Sequence, residues 1–219
     1  YAGTLTLKPF NARKLTARLG ISLPRTSRAS ALTSIGGKST ISGNARSVKA
    51  SGVVMKLDSS TITGAISVLD FASLALSFNV DVDTINVDDY LPPSAKGKAA
   101  TPGAAATALP VDLVRSLNLD GQLRIGKLTV SGVKMDKVVV TANAKDGVLK
   151  LSPLGAALYQ GRYDGNVTMD ARGTAPRITL DETIKDVQIG ALLKDVRGDA
   201  PITGATDLRA TLTAIGGNT

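Results

Sequence analysis

The feature that most constrains this chain is an alternation of apolar and polar residues that recurs along much of its length. Leu74, Leu76, Phe78, Val80 and Val82 alternate with Ser73, Ala75, Ser77, Asn79, Asp81 and Asp83. Tyr163, Gly165, Val167, Met169 and Ala171 alternate with Arg162, Asp164, Asn166, Thr168, Asp170 and Arg172. Val138, Val140, Ala142 and Ala144 do the same, as do Leu208, Ala210, Leu212 and Ala214. A period of two sends successive side chains to opposite faces of a strand, so each run has one apolar face and one wet face. Turn signals punctuate the runs at Ser131-Gly132, Lys145-Asp146-Gly147, Tyr163-Asp164-Gly165 and Arg172-Gly173. The pattern predicts a mainly β chain forming an antiparallel sheet, with strands within residues 3–8, 39–83 and 121–214.

Helical spacing is confined to short pieces at residues 11–19, 27–35, 110–117 and 189–196. Leu15 and Leu19, then Ala31, Leu32 and Ile35, Val114 and Leu117, and finally Ile189, Leu192, Leu193 and Val196 supply the apolar sides. None is long enough to stand alone in water, so each must dock on the sheet. Between the second and third pieces lies an Ala/Gly/Pro-rich stretch, Ser94 to Ala108, which reads as a flexible surface loop. It divides the chain into residues 1–93, a loop at 94–109 and residues 110–219. A faint repeat crosses the divide: residues 48–55 resemble 128–135, and Asp83 to Leu91 parallels Lys185 to Leu193. The repeating unit is several strands closed by a short helical turn, as in an array whose neighbours cover one another's edges.

Little in the composition supports catalysis. With no His and no Cys, a Ser-His-Asp triad, a thiol nucleophile and the usual zinc sites are excluded. Asp81 and Asp83 fall on the polar side of a strand, and Asp88 and Asp89 sit in a turn where they can cap a short helix. Ile35 to Thr40 lacks the spacing of a phosphate-binding loop. No enzyme activity, metal or cofactor is therefore expected. The charge is uneven: residues 1–57 hold ten Lys and Arg with no acid, leaving 16 of the 26 bases to face all 18 acids. That field suits an anionic partner, or is simply a solvated basic face. Nucleic acid is not expected, because Tyr1 and Phe10 are the only aromatics there and neither lies in a basic, alternating run. The apolar face of the sheet still has to be hidden, by a second sheet, by its own helices or by an apolar ligand.

Longer motifs bear on that choice. Val80 to Gly121 reads VDVDTINVDDYLPPSAKGKAATPGAAATALPVDLVRSLNLDG. Leu5 to Arg13 followed by Leu19-Gly20-Ile21, then Leu57 to Gly64, Asp146 to Leu149, Ser152 to Leu154 and Leu158 to Gly161 supply further matches. Together these resemble the AsmA family of bacterial cell-envelope proteins, over nearly the whole chain. The resemblance implies an open, strongly curved sheet whose apolar groove carries phospholipid tails, with the short helices packed on it. It also implies a periplasmic protein held to the inner membrane by a helix outside these 219 residues, supporting outer-membrane lipid homeostasis and assembly with other envelope proteins as possible partners. On this reading Leu74, Leu76, Phe78, Val80, Val82, Val138, Val140, Tyr163, Val167, Met169, Leu208 and Leu212 face the lipid. Arg13, Lys14 and Arg18 become candidates for an anionic headgroup. A non-transporting scaffold, or a chaperone for outer-membrane strands, stands beside it.

Overall fold

The computed structural model describes residues 1–93 and 111–216. Eleven strands form a single sheet in chain order: β1 (Ala2–Phe10), β2 (Ile35–Gly43), β3 (Val48–Leu57), β4 (Ser60–Asp70), β5 (Ala75–Asn86), β6 (Asn118–Val130), β7 (Val133–Lys145), β8 (Val148–Leu158), β9 (Gly161–Asp170), β10 (Arg177–Gln188) and β11 (Ala205–Ile215). The sheet is curved and does not close. Three helices, α1 (Ala12–Arg18), α2 (Val111–Ser116) and α3 (Ile189–Arg197), lie at its ends. The connections place α1, α3 and a 3-10 turn (Val87–Asp89) at one end, and α2 at the other. The loop expected at Ser94 to Ala108 lies outside the described residues.

Neighbouring strands are antiparallel except β5 and β6, which pair in parallel from Ala75↔Asn118 to Asn86↔Thr129. Alternation could not show this, because strands of either direction have the same period. A parallel pair needs a crossover. Here the crossover leaves β5 through the 3-10 turn and re-enters β6 through α2. The pairing also makes the two halves of the chain one continuous sheet.

Other expectations need correcting. Residues 27–35 are turns, with β2 already begun at Ile35. The carboxylate of Asp58 accepts from the backbone N–H groups of Leu32, Thr33 and Ser34 at 2.7, 2.9 and 3.0 Å, and Leu32 has φ +63°, so helical bonding has no room. Leu74 is not part of β5; it ends a turn with φ +48° that Asp70 closes by accepting from Ala72 N–H and the Ser73 hydroxyl. Tyr163 to Gly165 lies inside β9, and the turn is at Tyr159-Gln160 instead. Asp88 does not cap the 3-10 turn, a role taken by the Asn86 side chain. Instead Asp88 accepts from Ser131 and Gly132 N–H at 2.6 and 2.9 Å, joining the crossover to the β6–β7 turn.

Register shifts explain how the curve forms. In β8 the pairing slips between Leu151 and Leu154, in β3 between Ala50 and Val53, and in β10 between Ile184 and Val187. Gly52 and Asp186 take positive φ at two of these slips, as does Lys137 where β7 shifts against β8. Such bulges bend a strand and sharpen its twist. They also change the apolar spacing from two to three, which returns the next apolar residue to the same face.

Candidate functional site: the apolar inner face

The register lines apolar side chains into rows running across the strands. One row runs Val68, Leu76, Leu119, Ala144, Leu149, Met169, Ile178. The next runs Ile66, Phe78, Gly121, Ala142, Leu151, Val167, Leu180, Leu212. A third passes Val80, Leu123, Val140 and Leu154, and a fourth includes Ile62, Val82, Ile125 and Val138. Tyr163, Ile184 and Leu208 sit opposite one another on β9, β10 and β11. The opposite face is polar, with Arg124 donating to Asn79 at 3.0 Å and pairing with Asp81 at 3.2 Å.

The low exposure of its central residues identifies this apolar face as the inside of the curve. Val82, Ile125 and Val138 are 8% exposed, yet the apolar residues packed around them all belong to β4 through β8. A flat sheet would leave them open; curvature lets their neighbours shield them. Towards the margins the same face opens, and Leu208 and Leu212 are more than half exposed.

The helices narrow the face at its ends. Val114 of α2 is fully buried among Ala144, Leu149, Met169 and Ala171. Arg115 fixes α2 by donating to the carbonyls of Ala171 and Gly173 at 2.8 and 2.9 Å. At the other end, Asp195 of α3 accepts from Lys134 Nζ at 3.1 Å and from the Tyr159 hydroxyl at 3.0 Å.

All the inner-face candidates except Leu74 lie in these strands on the apolar side. Alternation over four runs missed Ile62 and Ile66 of β4, Leu123 and Ile125 of β6, Leu151 of β8 and Leu180 of β10. In β8 and β10 their signal was an apolar spacing of two broken by a three at the bulge, whereas those of β4 and β6 kept the plain spacing of two. It also missed Glu182, whose position continues the apolar parity of Ile178 and Leu180. Glu182 lies opposite Gly165, and the Tyr163 hydroxyl and Glu182 Oε2 converge where a Gly165 side chain would stand. Burial, then the adjacent carboxylate, pushes the Tyr163 phenol well above its ordinary value. Glu182 Oε2 is buried, and the Tyr163 hydroxyl beside it is the donor at hand, making the pair a polar station on this largely aliphatic surface.

The basic candidates divide. Arg13 is half-buried and committed: its Nε donates to Ala31 carbonyl oxygen at 2.7 Å and its guanidinium also meets Thr26 Oγ1. Lys14 and Arg18 are exposed, and the structure brings them together with Lys8 around Leu7, Phe10 and Leu15. Among the described residues, no helix is long and apolar enough to cross a membrane.

No curated protein and no solved structure matches this chain. A family model described as the AsmA family matches residues 10–219, which include ten of the eleven strands in full and all three helices. The chain belongs to the AsmA family of bacterial envelope proteins.

Proposed function

We propose that the inner face is a track on which phospholipid acyl chains lie, within a periplasmic protein attached to the inner membrane and serving outer-membrane lipid homeostasis. The observation that carries this reading is the set of aliphatic rows running across strand after strand, with no opposing layer over their middle among the described residues. Each methylene taken from water onto such a surface gains about 0.8 kcal/mol. Aliphatic contacts have no preferred direction, so a chain can shift from one strand to the next without breaking directed bonds. Phe78 lies across Gly121 and lines this surface, whereas its neighbour Asn79 points to the polar face.

A photo-crosslinking amino acid tests the reading without burying a charge. Placed at Phe78 or Leu212, it should give phospholipid adducts in chain expressed in a bacterial periplasm. Placed at Asn79 or Thr211 on the outer face, it should give few. Equal labelling from both faces, or none from either, would sink the proposal.

A further inference from the structure

We infer that the α1 end of the inner face holds a site for the phosphate of an anionic phospholipid, formed by Lys8, Lys14 and Arg18 around an apolar floor. The inference rests on the acyl-chain reading and adds the headgroup class. A cavity of about 470 Å³ lies between β1 and α1. Its floor is Leu7, Phe10 and Leu15. Lys14, Leu15 and Arg18 share one side of α1 with its cap Asn11, at the three- and four-residue spacings that align side chains on a helix. The β1–β2 register shifts between Leu7 and Phe10, where Lys8 joins the wall.

Three cations surround this pocket, and among the described residues none of them is in an ion pair. Residues 1–57 contain no acid. Two acids on the neighbouring turns are engaged elsewhere. Asp89 pairs with Arg28 at 3.1 Å, and Asp58 accepts from three backbone amides and the Tyr90 hydroxyl. Lys14 and Arg18 stand at i and i+4, a like-charge placement that disfavours the helix until an anion lies between them. A phosphate diester fits: the guanidinium can donate two parallel bonds and the ammonium groups add point charges. The leucine and phenylalanine floor then receives the first methylenes, which a free phosphate or a nucleic acid would leave unused. Arg13 takes no part: it does not line the cavity, and its Nε and one Nη are bonded to Ala31 and Thr26 instead.

The 219-residue chain, stripped of lipid, is incubated with vesicles of phosphatidylglycerol or of phosphatidylcholine with identical acyl chains. The lipid held after separation is counted by native mass spectrometry. The wild type should favour phosphatidylglycerol on the order of tenfold: three cations at roughly fivefold each would give about a hundredfold at low salt, and screening reduces this. Replacing Lys8, Lys14 and Arg18 together by Gln should bring the ratio near parity. Replacing Arg25, Arg46 and Lys49 by Gln, the same charge loss elsewhere in the basic quarter, should keep it. Equal loss in both triple variants would leave only a general field and overturn the site. So would equal uptake of the two lipids by the wild type, which would leave the acyl-chain track standing. A chain that takes up neither lipid overturns the track and this site together. A chain that binds inorganic phosphate there without discriminating the lipids also overturns it.

Discussion

Asp58 shows how one side chain organises the α1 end. It closes the β3–β4 turn, accepts three amides from residues 32–34, and receives the Tyr90 hydroxyl at 3.1 Å from beyond β5. Partial burial pushes its carboxyl upward, but the amide and phenol donors outweigh this and hold it below 3.8. The same bond, after burial, pushes Tyr90 up to about 12. A carboxylate depressed in the folded state stabilises above its unfolded pKa and loses that stabilisation as pH falls through the folded one. Wild type should therefore exceed Asp58→Asn in urea stability at neutral pH, and the gap should shrink below pH 3.8. Urea titrations at several pH values check this, and a gap that stays constant in acid would show that charge is not the cause. The Leu57 to Gly64 motif contains Asp58, but nothing local showed what it binds, because its amide partners lie about 25 residues earlier and Tyr90 32 residues later. The faces of Phe78, Val140 and Val167 were legible, since a side chain's face follows from parity alone.

At the scale of elements, legibility followed the range of the forces. The strands containing Leu76 to Val82 and Tyr163 to Met169 declare themselves because each local step repeats the same choice. The segment around Ala31 and Ile35 has helical apolar spacing but is held by a carboxylate from another turn, so the local pattern loses. Parallel pairing of β5 with β6 is likewise a matter of where the crossover returns, which no alternation records. Helix α2 was visible from Val114 and Leu117, and packing explains its place. Only six residues long, it is too short to persist in water by itself and depends on Val114, which is 0% exposed. Val114→Ala should lower stability by about 2 kcal/mol, from lost transfer energy and the cavity left behind. Leu113→Ala, on the exposed side of the same helix, should cost well under half of that. Thermal unfolding of the two variants decides; equal losses would mean that α2 does not dock through Val114.

Among the described residues no second layer covers the middle of the apolar face, against the usual rule that an apolar layer is covered by another. The whole molecule's accessible surface is 14020 Å², whereas a compact monomer of this 22.5 kDa mass would show roughly 9,500 Å². Among the described residues, some of the excess belongs to the outer sides of β1 and β11, which end the strand order, and some to the inner face, which no second layer covers. Rows of apolar side chains left without a covering layer call for an occupant. An acyl chain that fills the folded groove and ignores the unfolded chain must stabilise the fold by mass action, by about 2.7 kcal/mol at a hundredfold excess over its dissociation constant. For a chain of this length each kcal/mol moves Tm by roughly 2–4 °C, so saturation with a two-chain phospholipid should raise it by about 5–10 °C. The water-soluble glycerophosphate headgroup alone should raise it far less, because it brings no methylenes to the rows of Phe78, Val80 and Leu151. A dye that fluoresces on apolar surface should bind the lipid-free chain and be displaced along the same concentration curve. If Tm stays flat while lipid is added and the dye never binds, the inner face is already filled by the protein itself, and the sheet is a scaffold rather than a track.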